Sequence, residues 1–103
     1  MKIDYKNVRS TIGKRMLADG MKPVIDLKNS HGSWLVDGTS GKEYLDLFSM
    51  YASMSVGYNH PYVLDNAKRL EEASFNKPAN SDIYSTQMAE FVDTMGKIVQ
   101  PDY

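Results

Sequence analysis

The chain has 103 residues, 12 basic and 13 acidic, for a formal net charge of −1. That length allows at most one domain with a modest core, and so even a charge balance gives no support to a nucleic-acid partner or an electrostatic membrane anchor. Cysteine is absent, which excludes disulfides and thiolate metal sites and fits a reducing cytoplasm.

Hydrophobic content of 42% and aromatic content of 11% argue against disorder. The first residues contain no apolar core of the kind a secretory signal needs, so none is expected. No apolar run approaches the roughly 20 residues of a membrane helix. The expected class is a soluble, intracellular α+β segment.

From Asn7 to Ala18, Val8, Ile12 and Met16 recur at helical spacing, with Gly20 placed to terminate. The pattern predicts an N-terminal helical arm over 1–20. Such an arm can pack on its own core or reach to a second subunit, and the residues do not choose between them. Pro23 blocks continuation, and Val24 to Lys28 alternates as a strand would. Asn29-Ser30-His31-Gly32 reads as the turn out of it.

Trp34-Leu35-Val36 and Tyr44 to Phe48 flank Asp37-Gly38-Thr39-Ser40-Gly41, a hairpin signature. With the preceding strand this predicts a three-stranded antiparallel meander. Asp37 and Asp46 close two of the strands, where carboxylates most often cap turns. Ser49 to Tyr58 has no clean period, and an irregular stretch between regular elements is where binding groups tend to lie.

Pro61 suits the first position of a helix with Val63, Leu64, Ala67 and Leu70 as its buried stripe. Pro78 stops helical order near Phe75 to Lys77. After the polar loop Ala79 to Asp82, Ser85 can cap a last helix carrying Met88, Phe91, Val92, Met95 and Val99. The whole reads as α+β: one helix, the meander, a pocket loop within 21–60, and two helices over 61–103, together one domain at most.

Side chains that could carry chemistry are sparse. His31 and His60 make no metal-ligand pattern, and His60 beside Pro61 suits a helix cap. The glycines are dispersed turn formers rather than a phosphate cradle. Ser49, Ser53 and Ser55 lack a nearby base, so a nucleophile is not indicated. Met50, Tyr51, Ala52 and Met54 remain: an aromatic with a polar tip between adaptable thioethers suits the side of a pocket, or simply a core.

The stretch WLVDGTSGKEYLDLFSMYASMSVGYNHP resembles the N-terminal region of fold-type I, class III pyridoxal-phosphate aminotransferases. The matching positions are Asp37, Gly41, Tyr44-Leu45-Asp46, Gly57 and His60-Pro61. Gly57-Tyr58-Asn59-His60-Pro61 is similar to the branch holding 4-aminobutyrate and lysine ε-aminotransferases, and DLKNSHGSWLVD with NKPANSDIYS resembles the lysine enzymes. The resemblance implies amino-group transfer through pyridoxal phosphate, from the terminal amine of L-lysine to 2-oxoglutarate. It implies that this is the N-terminal part of the small domain of a cytoplasmic homodimer, partnered by the remainder of the polypeptide. The groups that hold the cofactor would lie in that remainder, so no catalytic, cofactor or metal residue is expected here. Met50, Tyr51 and Ala52 would line the substrate pocket; Asn76, Asn80 and Ser81 would lie near the dimer interface or the site entrance. A free-standing interaction module, and one half of a split 4-aminobutyrate or ornithine-type enzyme, are the competing expectations.

Overall fold

A computed structural model describes residues 2–101, in two compact units that meet in sequence between Asp65 and Asn66. The first unit holds α1 (Val8–Gly13), β1 (Trp34–Val36), β2 (Glu43–Leu45) and α2 (Pro61–Asp65). The second holds α3 (Ala67–Phe75) and α4 (Thr86–Val99).

The hairpin forms where its pattern indicates. β1 and β2 pair antiparallel, Trp34 with Leu45, Leu35 with Tyr44 and Val36 with Glu43. Asp37 closes the loop between them: its carboxylate accepts the amides of Val24 and Thr39, and Ser40 Oγ at 2.6 Å. Lys42 Nζ stands 4.9 Å from the Tyr44 ring centre, a cation–π contact on the outgoing strand.

The third strand does not form, so the sheet has two strands and is not a meander. Alternation over Val24–Lys28 is overruled by Asp26. Its Oδ1 accepts the amides of Lys28 and Asn29, its Oδ2 the Asn29 amide group, and its carbonyl accepts Ser30 N. Those bonds coil the chain into a turn one residue after a single bridge between Ile25 and Asp37.

Helix α1 is also shorter than the apolar spacing predicts. Gly13 weakens its last turn, and Arg9 donates to the carbonyls of Ala18, Gly20 and Met21, which draws the following segment back along it. The arm lies on its own unit: Tyr5 hydrogen-bonds Asp26, Thr39 Oγ1 donates to the Tyr5 carbonyl, and the Tyr5 ring fills the space beside Gly38. The helix expected from Pro61 is broken at Asn66 into α2 and α3. His60 Nδ1 accepts Tyr62 N and caps the first turn of α2.

The interior of the first unit is largely polar. Its buried residues are Asp26, Ser30, Val36, Asp37 and Tyr58. Ser30, 1% exposed, donates Oγ to the Asp26 carbonyl at 2.7 Å and accepts Val36 N at 2.9 Å. Asn59 donates to the carbonyls of Leu27 and Ser30, and Gly32 and Tyr58 bond each other in both directions. Satisfied hydrogen bonds, more than apolar burial, therefore set this geometry.

In the second unit Ser85 caps α4 by accepting Met88 N, as the sequence indicates. Arg69 and Glu90 form an ion pair. Neither α3 nor α4 buries a residue; Phe91, Val92, Met95, Ile98 and Val99 stay exposed along one stripe of α4.

Candidate functional site

A cleft of about 560 Å³ opens on the first unit. Gly20, Met21, Pro23 and Ile25 line it from the arm side, Leu35, Tyr44 and Leu45 from the hairpin, and Asp46, Leu47, Phe48, Met50 and Tyr51 from the loop after β2. The walls are aliphatic, thioether and aromatic, so the cleft suits an extended carbon chain.

The loop after β2 has an unusual backbone. Ser49, Met50, Tyr51 and Ala52 have φ of 49°, 47°, 55° and 65°, a left-handed turn built from four non-glycine residues. Each such residue costs about 1–2 kcal/mol, and strain on that scale concentrates where side chains must be presented. The turn leaves Tyr51 89% exposed, touching the Phe48 ring edge-on at 4.6 Å. The sequence gives no hint of it, because serine, methionine, tyrosine and alanine all favour right-handed backbone.

Met50 and Tyr51 thus stand together in the cleft lining, whereas Ala52 is exposed and not among the lining residues. Asn76 and Asn80 line a second cleft, about 490 Å³, on the other unit with Glu72, Lys77, Ser85 and Gln87. There Asn76 donates to the Glu72 carbonyl and Asn80 Oδ1 accepts Ser85 Oγ; Ser81 lies off that cleft, its hydroxyl on Asp82.

Asp46 is the acidic group of the first cleft. It accepts the amides of Phe48 and Ser49 at 2.8 Å each, and the Tyr58 hydroxyl at 2.6 Å. The Tyr58 hydroxyl, then these amides, hold its carboxyl below the usual range. Burial, and then Asp46, push Tyr58 up to about 12. Asp37 is held at about 2, chiefly by Ser40 Oγ and then by Val24 N. Both aspartates serve as turn carboxylates, the role their positions predict. The pairing of Tyr58 with Asp46 is one that the sequence pattern does not indicate; the nearest signal is a tyrosine ending the aperiodic stretch that starts three residues after Asp46.

The class-III aminotransferase family model matches residues 16–102, and the chain belongs to that family. The L-lysine-epsilon aminotransferases of Mycobacterium bovis and Amycolatopsis lactamdurans are 43% and 39% identical over 95 and 99 residues, covering 89% and 93% of the chain. The solved lysine aminotransferase from M. tuberculosis superposes with a TM-score of 0.86 at 40% identity, covering 96% of the chain and 23% of that enzyme. A 4-aminobutyrate aminotransferase from Mycosarcoma maydis is 37% identical over 81 residues, 77% of the chain and 16% of that protein. The chain spans about a fifth of the length of the lysine relatives, 21% and 22%.

The family implies pyridoxal phosphate, which needs a lysine, a carboxylate for its ring nitrogen and donors for its phosphate. The residues of the cleft do not fit that group: no lysine lines it, and its one carboxylate is already engaged by three donors. Among the described residues no cluster of three or more His, Asp or Glu could hold a metal ion, and no helix is long and apolar enough to cross a membrane.

Proposed function

We propose that the chain is the N-terminal segment of a class-III aminotransferase that moves the terminal amino group of L-lysine to 2-oxoglutarate. In this reading the segment supplies one wall of the donor site, and the remaining polypeptide supplies the cofactor and the groups that react. The chain alone is then inactive. The observation that carries the reading is the cleft itself: an open apolar trough with Met50 and Tyr51 in its lining and no amine of its own.

Met50 and Tyr51 would flank the carbon chain of the donor, with Ala52 beside them. Asn76, Asn80 and Ser81 would lie toward a homodimer interface or the site entrance, in a cytoplasmic enzyme. The uncovered stripe of α4 supports a further polypeptide over the second unit, since a helix pair without buried residues is not held by its own packing. The same stripe counts against a free-standing interaction module. The Mycosarcoma maydis relative favours a second reading, in which 4-aminobutyrate is the donor.

The test is a chimera in which this chain replaces the corresponding segment of the M. tuberculosis lysine aminotransferase. Turnover of L-lysine above that of 4-aminobutyrate is expected; preference for 4-aminobutyrate supports the second reading, and absence of turnover in a folded, cofactor-loaded chimera overturns both.

A further inference from the structure

Both ends of the loop that carries Met50 and Tyr51 are fastened to one carboxylate. At its start, Asp46 Oδ1 accepts Phe48 N and Ser49 N. At its end, Tyr58 donates its hydroxyl to Asp46 Oδ2. Tyr58 is in turn a fixed post: it is 5% exposed and bonded through N and O to Gly32. Asp46 is tied to the hairpin by its own amide, which donates to the Ser33 carbonyl at 2.7 Å.

Between these anchors two bonds are short, Ser53 Oγ to the Met50 carbonyl at 2.6 Å and Gly57 N to the Met54 carbonyl at 2.9 Å, and neither reaches outside the loop. The bonds Tyr51 N to Phe48 O, Ser53 N to Met50 O and Met54 N to Ser49 O are each 3.2 Å, at the long end of the range. They accompany four successive left-handed residues that would relax if released. Tyr51 packs its ring on Phe48, and the Phe48 amide is one of the two that Asp46 holds.

We infer that Asp46 and Tyr58 are positioning residues: the pair keeps Ser49 to Ala52 left-handed, so that Met50 and Tyr51 face the cleft and set which carbon chain it accepts. The second half of this inference rests on the donor-wall reading above, and the first half does not. The pair touches no reacting atom. It acts by fixing the ends of a strained span, which removes the alternatives the loop would otherwise sample.

Two measurements test it. Hydrogen exchange on the full chain reads the loop directly: Tyr58→Phe, which keeps the ring and loses the hydroxyl, is expected to speed exchange over 48–57 about tenfold and to leave 34–36 and 43–45 unchanged. Unchanged exchange over 48–57 overturns the inference. Equal acceleration in the hairpin also overturns it, because the pair would then be general support.

Kinetics of the chimera read the cleft. Tyr58→Phe is expected to raise KM for L-lysine about tenfold with kcat within about twofold. Asp46→Asn, which still accepts both amides, is expected to fall between the parent and Asp46→Ala. A KM unmoved while exchange rises overturns the specificity role alone. A chimera inactive before any substitution counts against the proposed function, and exchange still decides the positioning.

Discussion

Gly57 lies so close to Gly32 that a Cβ on Gly57 would overlap the Gly32 carbonyl. Gly57 also has a φ of 79°, so an alanine there meets strain and collision together. Gly41 has a φ of 73° with open space around it, which isolates the strain. Gly41→Ala is expected to cost about 1 kcal/mol, and Gly57→Ala more than about 2 kcal/mol. Thermal melts followed by tyrosine and tryptophan signals would compare them; equal losses would show that the backbone at Gly32 yields.

Ser30→Ala tests the polar interior. The substitution removes one donor and one acceptor: the Val36 amide is left buried without its partner, and the Asp26 carbonyl keeps the Ser30 amide but loses the hydroxyl. The expected loss is roughly 1–3 kcal/mol, large for so small an atom. A loss below about 0.5 kcal/mol in a denaturant titration would mean that water replaces the hydroxyl.

Stability should fall at both extremes of pH. Asp37, at about 2 when folded against 3.8 as its ordinary value, contributes stability above pH 3.8 that disappears as pH drops toward 2. Asp26 and Asp46 are shifted the same way. Tyr58, at about 12 against 10.0, contributes below pH 10 and loses that contribution as pH rises to 12. Tyr58→Phe is therefore expected to weaken the alkaline limb, leaving the part that Tyr5 supplies, and to remove Asp46's share of the acid limb while sparing that of Asp37. A midpoint independent of pH between 2 and 3.8 would contradict the Asp37 assignment.

The exposed stripe of α4 should bind an apolar dye. Phe91→Lys with Ile98→Lys adds charge to two exposed positions without touching the Ser85 cap. Dye fluorescence is expected to fall several-fold while helical circular dichroism is retained. Unchanged fluorescence would move the sticky surface elsewhere.

The parts of this fold that sequence reveals are those decided locally. The hairpin follows from alternation around Asp37 to Gly41, and α4 from Ser85 and its stripe. The third strand is lost to one carboxylate, because Asp26 offers the backbone bonds that alternation cannot outbid. The shortened α1 depends on Arg9 reaching carbonyls nine to twelve residues away, a contact no period encodes. At the site, Met50 and Tyr51 could be named from their chemistry, but not the left-handed turn that turns them outward. That turn is set by Asp46 and Tyr58 across the loop, a pairing invisible until the chain is folded.

The hydrogen-bonded interior around Ser30 has a calorimetric consequence. Unfolding such a unit uncovers little hydrocarbon and much amide and carboxylate, so its heat-capacity increment is small for its length. Its stability curve is correspondingly flat, and chilling leaves it intact where an oil-filled domain would begin to loosen.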